Sequence, residues 1–393
     1  MKSVILKPHK EESLLRFHPW VFSGAIARFD EEPEEGELVV VRDCKNHVLG
    51  VGHNQIGSIA VRILEFGVET LSENFWRERL QKSYVLRKSL GLVSTENNAY
   101  RLVHGEGDFL PGLIVDIYGE TAVVQAHSVG MHYCRNMIAE ELINVVDGVK
   151  NVYYKSETTL PFKAPIPEHD RQDCYLIGES STYIAKENGL KFYIDWLRGQ
   201  KTGFFLDQRE NRSLLEKYAG GRKVLNMFCY TGGFSVYAMR GGARRVVSVD
   251  SSAKAVEIVD KNVSLNFEDV SRQQSVTEDA FRYLDNMEDD FDLIILDPPA
   301  FAKHRDAIRN ALQGYTRLNA KAFAKIKSGG ILFTFSCSQA IDKEMFRLAV
   351  FTAAAQAKRK VRILHQLTQP IDHPISIYHP EGEYLKGLVL WVE

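Results

Sequence analysis

Hydrophobic and polar positions follow two periods along this chain, and the changes of period divide it into regions. Up to about residue 72, short apolar runs are separated by turn residues. Leu38-Val39-Val40-Val41 and Ile59-Ala60-Val61-Arg62-Ile63-Leu64 have the β-branched composition of strands. Glu31-Glu32-Pro33-Glu34-Glu35-Gly36 is an acidic turn, and glycines at 36, 50, 52 and 57 suit tight turns or bulges. A compact β-barrel is predicted over residues 1–72. From Leu71 to Leu90 the spacing becomes helical, with Phe75, Leu80 and Val85-Leu86 apolar among charges. Strand-like runs follow at Leu113 to Tyr118 and Thr121 to Gln125, then a helix at about 131–145 and a strand from Asn151 to Lys155. Residues 73–190 are predicted as a small α+β domain, with a loop at Pro161, Pro165 and Pro167.

In residues 191–393, strands and helices alternate. The strands are expected at Lys223 to Phe228, Arg245 to Asp250, Gln274 to Val276, Phe291 to Leu296, Gly330 to Phe335, Val361 to Leu367 and Leu385 to Val392. Helices are expected at 209–219, 233–241, 252–267, 279–287, 309–327 and 339–357. This alternation is the pattern of an α/β fold with a parallel sheet covered on both faces. The last two strands lack an intervening helix, so one reversed strand is expected in a mainly parallel seven-stranded sheet.

Composition narrows the function classes. With 393 residues, two or three domains are expected. The 45% hydrophobic and 25% charged content excludes disorder, collagen-like repeats and coiled coil as the main theme. No apolar run approaches the ~20 residues of a membrane span. Met1-Lys2-Ser3-Val4 does not open a signal peptide. A cytoplasmic location is expected. The five cysteines are odd in number and include no C-x-x-C, which argues against a disulfide framework and a structural zinc site. The net charge of −2 means that nucleic-acid binding needs local basic patches.

Candidate chemistry collects at the predicted strand ends. The loop Asn226-Met227-Phe228-Cys229-Tyr230-Thr231-Gly232-Gly233-Phe234-Ser235 joins a strand to a helix, where backbone N–H groups approach a ligand closely. It is not the G-x-G-x-x-G dinucleotide pattern, and it also suits an ordinary βα turn. Asp250 ends the next strand, placed to accept from both ribose hydroxyls. Asp279 follows the third, suited to an adenine amine, with Ala280 or Phe281 against the ring. Either carboxylate equally suits a helix N-cap. In this order, the three features point to an adenosine-containing cofactor.

The fourth strand ends in Asp297-Pro298-Pro299-Ala300-Phe301, a stiff loop beside a carboxylate. The fifth ends in Ser336-Cys337-Ser338, just before a predicted helix whose positive end would favour a Cys337 thiolate. A small buried residue is the alternative for Cys337. Cys229 is read as packing, and Cys44, Cys134 and Cys174 as structural.

These residues resemble the class I S-adenosylmethionine-dependent RNA methyltransferases, specifically the large-subunit ribosomal RNA cytosine-5 methyltransferases with an N-terminal PUA domain. The resemblance extends over nearly the whole chain. His18-Pro19-Trp20-Val21-Phe22-Ser23-Gly24 is similar to the family's PUA opening. His104-Gly105-Glu106-Gly107-Asp108 with Leu110-Pro111-Gly112-Leu113 resembles its middle-domain signature. Thr202 to Arg212 and His379 to Gly387 resemble the segments that lead into and close its cofactor domain. The resemblance implies a Rossmann-like methyltransferase sheet. It implies S-adenosylmethionine held by Asn226, Phe228, Tyr230, Thr231, Gly232, Gly233, Asp250, Asp279, Ala280 and Asp297. It implies Cys337 as nucleophile, Asp297 as the group that bonds the base, ribosomal RNA or a ribosomal subunit precursor as partner, and a homodimer as an accessible state.

The cytosine scheme needs no metal, because the methyl sulfonium is already activated. One departure from many RNA cytosine-5 enzymes is that Pro298-Pro299-Ala300-Phe301 contains no second cysteine. That fits a single-cysteine scheme like that of RNA uracil-5 enzymes. It leaves the releasing base open, with Glu381 as a candidate that suits a surface or capping carboxylate better. The proline loop also resembles exocyclic-amine methyltransferases, but those place an aromatic directly after the prolines, and here Ala300 intervenes.

For RNA, the residues singled out are Pro298, Pro299 and Phe301, Tyr315 as a base-stacking ring, and the basic stretch from Lys303 to Lys327. There Lys303, Arg305, Arg309, Arg317, Lys321, Lys325 and Lys327 stand against one acid, Asp306, and suit either a phosphate track or a solvated helix face. Arg16, His18, Arg28, Arg42 and Arg62 are further candidates in the PUA-like region, while Lys358-Arg359-Lys360 with Arg362 reads as surface. The competing readings are methylation of another RNA base and a catalytically inactive RNA-binding assembly factor. A nicotinamide dehydrogenase lacks its glycine pattern here.

Overall fold

The computed structural model describes every residue except Phe162, Lys163, Pro165, Asp289, Lys303 and His304, and the side chain of Arg305. The chain forms two compact units. The first comprises Met1–Gly189, Ile194–Leu206 and Ile371–Gly382, and the second Leu190–Tyr193, Asp207–Pro370 and Glu383–Glu393.

The first unit contains two sheets. The N-terminal sheet has six strands: Lys2–Leu6, Trp20–Phe22, Ile26–Phe29, Leu38–Arg42, Val48–Asn54 and Ile59–Phe66. Alternate residues such as Val4 and Leu6, Val39 and Val41, and Val61 and Ile63 point to one face and form its core. Gly52 sits at a register shift between Val51 and Gly52, where a Cβ would lie 2.2 Å from the Arg62 carbonyl oxygen. Only glycine permits that approach. The second sheet has five strands, ordered Cys174–Ile177, Asn151–Tyr154, Thr121–Ala126, Leu113–Tyr118 and Ala99–His104. The helices Phe75–Ser89 and Arg135–Val145 contribute Leu80, Tyr84, Ile138 and Leu142 to its core. The single helix predicted near 131–145 is two, Val129–Tyr133 and Arg135–Val145, separated at Cys134.

A buried ion pair of Arg87 with Asp108 braces this unit, its second bond running from Nη2 to Oδ2 at 2.8 Å. The Arg87 guanidinium also donates to the Asp372 carbonyl at 2.8 Å, and Arg101 N donates to Asp372 Oδ2 at 2.9 Å. The returning segment Ile371–Gly382 is thereby anchored at its start.

The second unit alternates helices and strands: α1 Arg209–Ala219, β1 Lys223–Met227, α2 Gly233–Arg240, β2 Arg245–Asp250, α3 Ala253–Ser264, β3 Gln273–Thr277, α4 Ala280–Asn286, β4 Phe291–Leu296, α5 Ile308–Lys325, β5 Ile326–Ser336, α6 Lys343–Gln356, β6 Val361–Leu367 and β7 Lys386–Val392. The sheet order is β3-β2-β1-β4-β5-β7-β6. Strands β1 to β5 are parallel, and β7 runs antiparallel to both β5 and β6, so the expected reversed strand lies inside the sheet. Leu293 to Leu296 are fully buried, as a central parallel strand covered on both faces requires. The parallel strands bring their carboxyl ends, and the loops that follow, to one edge.

Helix α6 differs from its prediction in a way that matters. It starts at Lys343, with Asp342 Oδ1 capping Met345 N at 2.7 Å, rather than at 339 beside Cys337. The Asp342 side chain supplies the acceptor that fixes the later start.

Candidate active site

The loop after β1 is held in an uncommon conformation. Phe228, Tyr230 and Gly232 have φ of 57°, 48° and 81°, and such left-handed positions cluster at ligand clamps. At Gly232 a Cβ would meet Val259 Cγ1 at 2.8 Å. Asp250 fastens the loop by accepting from Tyr230 N at 2.9 Å through Oδ2 and from Ser252 N at 2.9 Å through Oδ1. Each oxygen retains acceptor capacity for a ribose hydroxyl. The Thr231 hydroxyl is buried with no hydrogen-bond partner among the described residues, which suits a ligand-binding loop. Gly233 is also buried in this loop.

The other predicted cofactor residues divide. Asn226 is 1% exposed and lies beneath the loop, donating to Ser235 Oγ at 2.9 Å in a chain that continues to Ser248 at 2.6 Å. It supports the loop from below, and its Oδ1 is buried with no hydrogen-bond partner among the described residues. Asp279 is exposed and caps α4, accepting from Arg282 N at 3.0 Å. Ala280 is buried in the core cluster beneath α4, so its methyl packs there. The Phe281 ring lies 4.5 Å from the Arg317 guanidinium.

At the ends of β4 and β5 a second cluster forms. Asp297 is partly buried, and Gln208 Nε2 donates to its Oδ2 at 3.1 Å. Burial, and then the neighbouring Asp207 carboxylate, push the Asp297 carboxyl up to about 7, against the Gln208 bond and the Arg212 charge. Cys337 Sγ sits 3.9 Å from the Pro298 carbonyl oxygen. Its thiol is pushed up to about 12 by burial and by the Asp297 and Asp207 carboxylates, with Lys386 acting in the opposite direction. The expected helix-stabilised thiolate is therefore corrected. The helix starts later and is capped, and burial first, then the acids nearby, favour the protonated sulfur.

Three groups that sequence reasoning did not assign complete this cluster. Asp207 Oδ2 accepts from the Tyr384 hydroxyl at 2.8 Å, while Asp207 Oδ1 is buried with no partner among the described residues. The buried Lys386 Nζ donates to the carbonyls of Ser338 and Tyr384, each at 2.6 Å, and burial brings its ammonium down to about 8. Asp207, Tyr384 and Lys386 fall in the signature segments 202–212 and 379–387, but no local spacing marks them as neighbours.

Tyr315 is corrected from a base-stacking ring to a buried brace. Its ring is fully enclosed between Phe301 and Phe346, and its hydroxyl bonds Ser336 Oγ at 2.9 Å and Ser338 Oγ at 3.0 Å, the residues on either side of Cys337. Phe301 packs on it, with ring centroids 4.7 Å apart, rather than standing free for RNA. Pro298 is buried and Pro299 exposed. Lys303 and the Arg305 side chain lie outside the described residues. Arg309 is exposed. Elsewhere in the basic stretch, Lys321 pairs with Asp285, Lys325 Nζ donates to the Met287 carbonyl at 3.1 Å, and Lys327 faces Asp292 at 3.7 Å. These partners occupy cations expected to track phosphates.

In the first unit, Arg62 is committed to Glu106 at 2.7 Å and Arg42 to Glu69 at 3.0 Å, while Arg16 and Arg28 are exposed. His18 and Glu381 face each other at 3.5 Å there. Arg359 Nη1 donates to the Phe323 and Ile326 carbonyls at 2.7 and 3.0 Å, so this side chain ties down the end of α5. No helix among the described residues is long and apolar enough to cross a membrane.

Comparison with known proteins agrees with this architecture. Residues 168–377 match the S-adenosylmethionine-dependent methyltransferase family model, and residues 4–66 match that of the PUA-like domain. The chain is 38% identical to "Ribosomal RNA large subunit methyltransferase I" of Tolumonas auensis, covering 99% of this chain and 98% of that protein. It is also 38% identical to the protein of that name from Aeromonas hydrophila, over 99% and 98% of the two chains. The fold matches that of a Streptococcus mutans protein described as a SAM-dependent methyltransferase, with a TM-score of 0.83, 22% identity and full coverage of both chains. A methyltransferase solved in complex with SAH gives a TM-score of 0.85, also at 22% identity and full coverage of both.

Proposed function

Because the chain belongs to the ribosomal RNA large subunit methyltransferase I family of S-adenosylmethionine-dependent enzymes with a PUA-like N-terminal domain, we propose that it methylates carbon 5 of a cytosine in large-subunit ribosomal RNA through a covalent adduct on Cys337. The observation that carries this reading is Cys337 at the carboxyl edge of the sheet, within the electrostatic reach of Asp297, Asp207 and Lys386. When bound, S-adenosylmethionine supplies an electrophilic methyl group. The left-handed loop after β1, the Thr231 hydroxyl and Asp250 are the groups that would hold it.

Carbon 5 of cytosine is a weak nucleophile until sulfur adds at carbon 6 and makes the ring enamine-like. The Cys337 proton leaves as the S–C6 bond forms. On this reading Asp297, poised near neutrality, accepts that proton and delivers one to ring nitrogen 3. The Lys386 ammonium favours the developing thiolate. After carbon 5 is methylated, Asp207 takes the carbon-5 proton. The electron pair of that C–H bond re-forms the C5–C6 double bond, and the C6–S bond breaks. The proton on nitrogen 3 returns through Asp297 to sulfur, so each turnover releases one proton, from carbon 5.

The test is methyl transfer from labelled S-adenosylmethionine to ribosomal RNA, with the nucleosides identified by mass spectrometry. 5-Methylcytosine is expected. Label on uracil or guanine overturns the base assignment, and RNA binding with no transfer favours an assembly factor.

A further inference from the structure

We propose that His18, His379 and Glu381 form a binding site for one zinc-class divalent cation, which fastens the Ile371–Gly382 segment to the N-terminal sheet. All three residues belong to the first unit. Glu381 Oε2 lies 3.5 Å from His18 Nε2 and 3.7 Å from His379 Nε2, and one donor atom from each residue falls within 4.8 Å of the others. Those separations are long for hydrogen bonds. They are close to the roughly 3.4 Å between two donors bonded at about 2.1 Å to one tetrahedral ion.

The independent observation is His379 itself. Its side chain is 4% exposed, and both ring nitrogens are buried without a hydrogen-bond partner among the described residues. A buried imidazole normally directs at least one nitrogen to a partner, and the group that His379 Nε2 faces here is the Glu381 carboxylate. The ring is held against Trp20, with centroids 4.3 Å apart at 69°. Trp20 is fixed in turn, because its indole N–H donates to Glu106 Oε1 at 2.8 Å and the Arg62 guanidinium lies 5.2 Å from its ring. The His379 donor is thus set against a rigid wall before any ion arrives.

The donor set selects the ion. Two imidazoles and one carboxylate suit Zn²⁺ or Co²⁺, with a water in the fourth position, whereas Ca²⁺ and Mg²⁺ take oxygen donors. The half-exposed Glu381 leaves that water a route from solvent. One contact opposes binding. Trp20 N donates to His18 Nδ1 at 3.3 Å, and coordination through Nε2 moves the ring proton to Nδ1 and replaces that bond. Affinity on the order of micromolar, weaker than that of closed structural zinc sites, is therefore expected. The cysteine spacing could not reveal this site, because it uses no sulfur and joins residues from distant parts of the chain.

The experiment uses full-length, tag-free protein stripped with chelator, titrated with Co²⁺ and then with Zn²⁺. One equivalent of Co²⁺ should give visible d–d absorption of a tetrahedral site, lost on Zn²⁺ addition, and Zn²⁺ should raise the melting temperature. H379Q should weaken binding at least about tenfold. Because His379 is buried, E381Q and H18Q, at the more exposed positions, are measured alongside and should weaken it comparably. Absence of stoichiometric Co²⁺ binding overturns the proposal. So does binding undiminished in both E381Q and H18Q, which would mark adventitious surface binding.

Discussion

Tyr384 donates its hydroxyl hydrogen to Asp207 Oδ2 at 2.8 Å, joining the segment before α1 to the segment before β7. This bond leaves Asp207 Oδ1 as the unengaged face of a carboxylate that raises both Asp297 and Cys337. Tyr384→Phe should keep the fold to within about 1 kcal/mol. It should lower kcat about tenfold with little change in KM, because Asp207 loses its orientation but not its charge. Steady-state kinetics with ribosomal RNA check this, and an unchanged kcat removes Asp207 orientation from the scheme.

Cys337→Ala should abolish methyl transfer, by at least about a thousandfold for loss of a covalent nucleophile, while S-adenosylmethionine binding by calorimetry stays within a factor of two to three, on the order of the error of such comparisons. RNA carrying 5-fluorocytosine should form a denaturant-resistant complex with the native chain and none with this variant. Normal turnover by the variant would eliminate the covalent route.

The raised Asp297 carboxyl has a stability consequence with a definite sign. Its folded-state pKa of about 7 lies above the ordinary 3.8, so between roughly pH 4 and 7 the folded chain binds more protons than the unfolded one. This group's contribution to stability is fully present below pH 4, falls as pH rises through the window, and levels off above pH 7. Asp297→Asn keeps an acceptor for Gln208 and removes the titration. The variant should gain on the order of 2 kcal/mol over the native chain between pH 5 and pH 8, after discounting for partial exposure. Urea unfolding at both pH values measures the difference, and parallel pH profiles would refute it.

Gly232→Ala adds a side chain at φ of 81° and a Cβ 2.8 Å from Val259 Cγ1. A destabilisation of about 1–3 kcal/mol is expected, together with weaker S-adenosylmethionine binding. Adding Val259→Ala should relieve the contact but not the backbone strain, so recovery should be partial. Thermal melting and calorimetry on both variants separate the two effects.

Arg87→Met leaves the Asp108 carboxylate charged and enclosed in the first unit, which should cost about 3–5 kcal/mol. Replacing both residues with apolar ones should recover much of that. Urea unfolding of the single and double variants measures the coupling, and equal losses would show that the pair is not the cause.

The order of helices and strands in the second unit is legible because buried parallel strands are continuous apolar runs, such as Leu293 to Leu296, between amphipathic helices. Asp250 and the glycine loop are legible for the same reason: they sit at fixed offsets from those runs. Asp207, Tyr384 and Lys386 are not, because they meet only when β7 enters the sheet between β5 and β6. Tyr315 lies on the inward stripe of α5 with Ala311, Leu318, Ala322 and Phe323, so its burial is legible from helical spacing, whereas its bond to the two serines that flank Cys337 is not, because they lie on β5 and the loop after it. The Cys337 environment differs from the expected one because the Asp342 cap starts α6 at Lys343, several residues after 339.

Strand β7 is an interior strand of its sheet, yet it is the last of that sheet's strands in chain order. It lies between β5 and β6, and Tyr384 and Lys386 come with it. Until β7 is in place, the β5 and β6 edges that it joins are unpaired and the Asp207–Cys337 neighbourhood lacks Tyr384 and Lys386. A product cut short before Tyr384 would leave two sheet edges open to pairing with other chains and would lack two groups of the Asp207–Cys337 neighbourhood.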